Sequence, residues 1–130
     1  MASIRAFADL DAWKSGRELT KLVYVATGNS AFAKDYGLRD QIRRASISIM
    51  ANIAEGFGRS GSGEFIQFLS IAKGSACEVS SHVYVALDQG YISHSEFERL
   101  NELAERTSNL IGGLMKYLQQ STIKGAKYRR

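Results

Sequence analysis

Proline is absent from this chain of 130 residues, and cysteine, histidine and tryptophan are nearly so. Proline is the residue that most strongly disrupts a helix interior, so its absence leaves long helices possible throughout the chain. A single cysteine excludes a disulfide framework and favours a cytoplasmic setting. No apolar run approaches the ~20 residues of a membrane-spanning helix, and the chain does not open with a signal-peptide pattern. We therefore expect a cytoplasmic domain with no membrane association.

The shortage of histidine and cysteine also limits the chemistry. His82 has only Glu78 at helical spacing, and His94 belongs to a different element, whereas a zinc site needs three or four convergent ligands. Cys77 lies beside an apolar stripe, where a buried and inert thiol is expected. We predict no metal, no cofactor and no catalytic residue, and hence a protein that is not an enzyme.

One motif is misleading. Gly56 to Gly61 read G-F-G-R-S-G, which has the spacing of a dinucleotide-binding loop. That loop must follow a strand in a βαβ unit, and here a helical pattern precedes it. We interpret the glycines as helix-stop and turn positions.

Helical periodicity runs through most of the chain. The spacing predicts helices at about 11–27, 37–56, 63–89 and 94–119, the last opened by a capping box at Ser93–Glu96. Short connections and no strand pattern predict an all-α fold, an antiparallel up-down-up-down four-helix bundle over residues 1–120. Small residues around Gly74 predict that another helix comes close. A flexible basic tail is expected at 121–130.

The helix at 37–56 is apolar on two sides. The first side is a stripe at core-facing spacing: Leu38, Ile42, Ala45, Ile49 and Ile53. The second side is a separate arc, the candidate oligomer interface: Ile47, Met50, Ala54 and Phe57. The first side faces the bundle of its own chain. The second faces either another subunit or the rest of a monomeric bundle, and periodicity alone does not choose between them.

Polar residues on the same helix suggest binding or a structural role. Arg39 and Arg43 are one turn apart on the side of the second apolar group with no acid close by, whereas Arg44 can pair with Asp40. Three interpretations of Arg39 and Arg43 are open. They bind an anion from outside the chain, they pair with a carboxylate of another subunit, or they are ordinary solvated arginines. Asn52 is predicted to be a polar lock that fixes helix register or an interface, together with Glu55, which can pair with an arginine one turn later.

Several segments resemble one bacterial family. The run QIRRASISIMANIAEGFGR at 41–59 is similar to the signature of the four-helix-bundle proteins encoded in intervening sequences of 23S ribosomal RNA genes. A related branch is the accessory variability determinant of diversity-generating retroelements. Phe7-x-x-Leu10-x-x-Trp13, 64–69, 72–75 and 90–92 also match the layout, so that the resemblance covers about residues 7–119. The family often has proline where this chain has Met50, which predicts a straighter helix here.

The resemblance implies a ring-like homo-oligomer, a homopentamer, that associates with RNA or DNA without catalysis. In the retroelement branch it also implies a reverse transcriptase as partner. The alternative is a protein-interaction scaffold or accessory subunit that does not bind nucleic acid. The net charge of +4 is compatible with phosphate binding. The candidate phosphate-binding residues are Arg39, Arg43, Arg44, Arg59, Lys73, Lys124, Lys127, Arg129 and Arg130.

Overall fold

The computed structural model describes the backbone of residues 4–128 and the side chains of residues 4–29 and 31–120. In this part of the chain a 3-10 helix, Phe7–Asp9, precedes five α-helices, and there is no strand. The α-helices are α1 (Asp11–Thr27), α2 (Ser30–Lys34), α3 (Tyr36–Phe57), α4 (Ser62–Asp88) and α5 (His94–Tyr128). The predicted all-α class is confirmed.

The four long helices surround one core. α1 packs against α3 and α5, and α4 packs against the same two helices from the opposite side. Buried or half-buried hydroxyl groups join neighbours across these contacts. The Oγ atom of Ser15 lies 2.6 Å from the Oγ1 atom of Thr107 in α5, and Ser75 of α4 donates to the Oγ atom of Ser48 in α3 at 2.9 Å. Each pair satisfies polar groups that would be costly to bury alone.

The core stripe of α3 follows the predicted spacing. Ile42, Ala45, Ile49 and Ile53 are all buried, and Leu38 is half-buried against the same cluster. Burial of an isoleucine side chain is worth about 1.5–3 kcal/mol, so this stripe is a principal reason that α3 docks in the bundle. The helix is continuous through Met50.

The connection between α1 and α3 differs from the prediction of a short polar link. It contains α2, whose Phe32 is 1% exposed and stacks on Tyr91 with ring centroids 5.2 Å apart. The hydroxyl of Tyr91 donates to the Oδ2 atom of Asp35, and the Oδ1 atom of Asp35 accepts from the backbone N–H of Leu38, which caps α3. The bond to the Asp35 carboxylate raises the pKa of Tyr91 above its ordinary value. A five-residue helix is too short to show periodicity, which is why the sequence did not reveal it.

The last helix is longer than predicted. It continues to Tyr128 instead of ending near residue 119, so the backbone of residues 121–128 is not the irregular tail that the sequence suggested. The segment contains Gly125 but no proline, and one glycine costs a helix only about 1 kcal/mol. The side chains of 121–128 and all of 129–130 lie outside the described residues.

The small residues around Gly74 do admit a close helix, and those that are buried are Ala72, Ser75 and Ala76. Gly74 itself does not have the predicted role. A Cβ atom built there would meet no atom within 4 Å, whereas the neighbouring Ala72 and Ala76 are buried. The close approach of α3 and α4 occurs instead at Gly56. A Cβ atom built on Gly56 would lie 2.7 Å from the Cβ atom of Phe68.

We therefore expect Gly74→Ala to stabilise the protein by about 1 kcal/mol, because alanine is the better helix former and has open space here. Chemical denaturation measures the change. Gly61→Ala is the matched control, since that site is equally open but lies at the helix N-cap, where alanine brings no gain. A loss of stability in Gly74→Ala would mean that another molecule packs against this point.

Candidate nucleic-acid interface

Arg43 is held in place by α1. Its Nε–H donates to the Oγ1 atom of Thr27 at 2.7 Å, and its guanidinium carbon lies 4.5 Å from the ring centroid of Tyr24. Thr27 is fully buried, and its own hydroxyl donates to the backbone carbonyl of Val23. A rigid hydroxyl and a ring face thus fix both the position and the plane of the guanidinium.

Arg39 lies one helical turn earlier on α3 and is also fixed. Its Nε–H donates to the Oδ1 atom of Asp40 at 2.9 Å, one NH1 hydrogen is donated to the backbone carbonyl of Ala33, and the guanidinium lies 4.8 Å from the centroid of Tyr36. The prediction that Arg39 has no acid close by is therefore wrong, and Asp40 is bonded to Arg39 rather than to the predicted Arg44. Adjacent residues do not meet on an ideal helical wheel, which is why spacing did not indicate this pair.

Tyr24, Arg43, Arg39 and Tyr36 form what we call the arginine–tyrosine cluster. It lies where the C-terminal end of α1 and the N-terminal half of α3 meet. A guanidinium has five N–H donors, and these contacts use one on Arg43 and two on Arg39. The remaining donors can form the paired hydrogen bonds by which arginine binds phosphate or carboxylate. The ion pair with Asp40 is partly exposed, so it offsets little of this affinity.

The other predicted basic residues lie elsewhere. Arg59 has two carboxylate partners, Glu55 at 3.0 Å and Glu64 at 3.8 Å, and also lies over the ring of Phe68. It is roughly 24 Å from Arg43 along the axis of α3, at 1.5 Å for each residue. These two carboxylates already complement its charge, so an outside anion would have to displace them.

Arg44 and Lys73 are both exposed and, among the described side chains, form no hydrogen bond or ring contact with the tyrosines of the cluster. Among the described side chains, Arg44 has no hydrogen bond or ion pair. The side chain of Lys73 extends toward α5, where its Cε atom is 3.5 Å from a Cβ atom built on Gly112. The side chains of Lys124 and Lys127, and both Arg129 and Arg130, lie outside the described residues, so their predicted role stays a prediction.

The candidate oligomer interface is only partly open. Met50 is half-buried against α1, where its Sδ atom accepts a hydrogen bond from Thr20 at 3.4 Å. Phe57 is half-buried and meets Phe65 of α4 edge-on, with centroids 6.1 Å apart. Ala54 is half-buried, and Ile47 is the large side chain of the group that stays open, at 46% exposed. The exposed part of this second face is therefore narrower than the spacing suggested.

Asn52 and Glu55 both have partners. The Nδ2 atom of Asn52 donates to the carbonyl and the hydroxyl of Ser48, whose hydroxyl also accepts from Ser75 of α4. This chain of bonds crosses the α3–α4 contact and supports the idea of a polar lock on helix register. Glu55 forms the expected ion pair with Arg59.

Neither a metal site nor a membrane span is found in the described part of the chain. No group of three or more His, Cys, Asp or Glu residues is placed to hold a metal ion there. None of the helices described is long and apolar enough to cross a membrane. His82 lies 3.2 Å from Glu78, as the spacing indicated. Cys77 is exposed, so the prediction of a buried thiol is wrong.

The sequence alone did not point to the two tyrosines. Tyr24 belongs to α1 and approaches Arg43 only because α1 and α3 pack in this register. Tyr36 is the first residue of α3, three positions before Arg39. An aromatic residue at i, i+3 from an arginine was the only available signal, and it is a weak one.

Comparison with known proteins places this architecture in a family. The family model described as 23S rRNA-intervening sequence protein matches residues 8–113. A crystal structure from Bacteroides thetaiotaomicron, described as a protein with unknown function from the S23 ribosomal protein family, is similar with a TM-score of 0.74. It is 24% identical, with 81% of this chain and 98% of that chain covered, and the likeness shows a shared fold. No curated protein matches the chain. Since the family model spans most of the sequence, the chain belongs to the family of 23S rRNA-intervening sequence proteins.

Proposed function

We propose that this protein is a non-catalytic helical bundle that associates with nucleic acid by binding phosphates through the arginine–tyrosine cluster. One observation carries the proposal. Arg39 and Arg43 are one helical turn apart on α3 and are held by contacts to α1, α2 and α3, and these contacts leave most of their N–H donors unused. Prior fixing lowers the entropy lost when an anion binds.

Such contacts recognise the backbone and not the bases. Phosphate contacts supply affinity that is tolerant of sequence, and the affinity falls as salt rises because bound counterions are released. The net charge of +4 adds a weak general attraction. The family name refers to ribosomal RNA genes, which agrees with this proposal without specifying a ligand.

Self-assembly is the second part of the proposal, and the resemblance implies a ring-like homopentamer. Ile47 supports a contact between copies, because this isoleucine in the middle of α3 is 46% exposed in the single chain. Arg43 lies one helical turn before Ile47 on the same helix, so the cluster borders the proposed contact between copies. An assembly would repeat the cluster and raise avidity.

Ile47→Glu is expected to break this assembly while leaving the helical content unchanged, since the side chain is open in the single chain. Light scattering would then report a mass near 14.3 kDa. Val25→Glu is the control, because Val25 is 71% exposed on α1 and lies outside the proposed contact. Met50→Glu is less suitable, since Met50 also packs against α1. A full-size oligomer in Ile47→Glu would rule out this surface as the contact.

A protein-interaction scaffold, for example an accessory subunit of a reverse transcriptase, is the second candidate function. The ion pairs of Arg59 favour it, because Glu55 and Glu64 compensate the charge of Arg59 within the chain and leave less of it to attract a phosphate. A carboxylate on a partner protein could also meet Arg39 and Arg43.

Titration with a labelled RNA and with duplex DNA at about 50 and 150 mM salt separates the two candidates. The proposal predicts binding to nucleic acid at the lower salt and clearly weaker binding at the higher salt. No detectable binding at the lower salt would leave the scaffold function as the better account.

A further inference from the structure

The arginines of the cluster are each paired with a tyrosine whose ring remains accessible. Tyr36 is 65% exposed and Tyr24 is 40% exposed, although each has a guanidinium over its ring. The half-buried Trp13 also has an arginine nearby, at 5.8 Å, but Phe7 packs against its ring at 5.1 Å. The two tyrosines therefore differ from Trp13, whose ring is part of the packing of the protein.

Phosphate binding alone does not require these rings. A phosphate needs only the N–H donors, and a structural arginine could be held by Thr27 or Ala33 without a ring below it. An exposed ring, in contrast, offers a flat face on which a further flat group can stack. The flat groups of nucleic acids are bases, and a base offers its face only when it is unpaired.

We infer that the cluster binds single-stranded nucleic acid in preference to duplex, with unpaired bases stacked on Tyr24 and Tyr36 while Arg39 and Arg43 contact the phosphates. This inference rests on the proposed function and names its ligand class. Each ring lies under one of the two cations, and the cations are one helical turn apart in the sequence of α3. Stacking of this kind is tolerant of sequence, because every base has a flat face.

Electrostatics alone would give the opposite preference. A duplex carries phosphates on both strands, so at equal length it has the greater charge density and attracts a basic patch more strongly. Tighter binding to a single strand would therefore come from contacts to bases. Each stacked base is expected to improve affinity about tenfold.

Fluorescence anisotropy with the full chain tests the inference. The probes are a labelled oligouridine of about 20 nucleotides and an RNA duplex of equal length, at low salt. The wild type should bind the single strand at least tenfold more tightly than the duplex, given about tenfold for each stacked base. Tyr24→Leu with Tyr36→Leu should weaken single-strand binding more than duplex binding and so remove this preference. Tyr117→Leu is the matched control, because Tyr117 of α5 is also 65% exposed, and it should change neither affinity.

Two further variants keep the result interpretable. Tyr36→Leu alone changes an exposed residue at the start of α3, so it should fold and should lose part of the preference. Tyr24→Phe with Tyr36→Phe keeps both rings and should bind as the wild type does. If the double leucine variant binds the single strand normally, or loses single strand and duplex equally, the inference is wrong.

The outcome for the wild type separates this inference from the proposed function. Equal binding to both probes, or tighter binding to the duplex, would overturn the stacking inference and leave phosphate binding intact. Binding to neither probe would overturn both.

Discussion

Replacing Arg39 and Arg43 together by glutamine is expected to weaken nucleic-acid binding at least about a hundredfold, because two charge-assisted contacts of about 1.5–3 kcal/mol each are removed. The slope of log affinity against log salt should also become shallower by about two, one for each lost phosphate contact. Binding titrations over a range of salt concentrations measure both quantities. The double variant loses contacts to Thr27 and Ala33 as well, so its thermal unfolding must be measured alongside.

Arg59→Gln is the matched control for this prediction. Arg59 also lies over an aromatic ring, but Glu55 and Glu64 already complement its charge. We expect its removal to change affinity less than threefold, since an exposed ion pair contributes roughly 1 kcal/mol or less to the chain and nothing to the ligand. An equal loss of binding in both variants would mean that affinity follows overall charge and not the cluster.

The second large effect concerns stability. Gly56→Ala is expected to destabilise the protein by about 2 kcal/mol, because overpacking costs about 3 kcal/mol and the better helix propensity of alanine returns about 1. The added Cβ atom would lie 2.7 Å from the Cβ atom of Phe68 and 2.9 Å from the Cδ1 atom of Phe65, so α3 and α4 must move apart. The melting temperature should fall by roughly 8 °C.

Gly74→Ala, in the other helix of the α3–α4 pair, is expected to raise the stability of the protein instead of lowering it. The substitution is identical, but Gly74 has open space where Gly56 has two phenylalanine rings. Scanning calorimetry of the two variants should therefore show changes of opposite sign. If Gly56→Ala melts at or above the wild-type temperature, the close contact of α3 with α4 is looser than the structure indicates.

These glycines show how far the sequence can be interpreted. Gly56 was understood as a helix-stop residue, yet it lies inside the last turn of α3 with a neighbouring helix against it. Gly74 was expected to admit a close helix, yet nothing is near it. Periodicity indicates which face of a helix is apolar, but it does not indicate the position along the helix axis at which two helices come into contact.

The long helices were predicted well for a physical reason. The apolar repeat of α3 has the spacing of a helix with one buried stripe, and no other regular structure would bury that set together. The predicted limits of 37–56 differ by one residue at each end from Tyr36–Phe57. α2 has too few residues for a repeat, and only its buried Phe32 accounts for its position.

The candidate site was predicted in part. Arg39 and Arg43 were chosen because they stand one turn apart, and in the structure each lies over a tyrosine ring. Their partners depend on side-chain direction and on the register of α1 against α3, which no local pattern contains. Arg59 and Lys73 were chosen for charge, and the fold places them elsewhere, Arg59 between two glutamates and Lys73 beside α5.

The surface used by the ligand can be located directly by NMR titration of the labelled protein with a short single-stranded oligonucleotide, following backbone amides and arginine Nε–H groups. The account predicts the largest shifts at Tyr24, Tyr36, Arg39 and Arg43, with the signals of Arg59 and Lys73 unchanged. Shifts centred on Arg59 or Lys73, with the four residues of the arginine–tyrosine cluster unaffected, would contradict it.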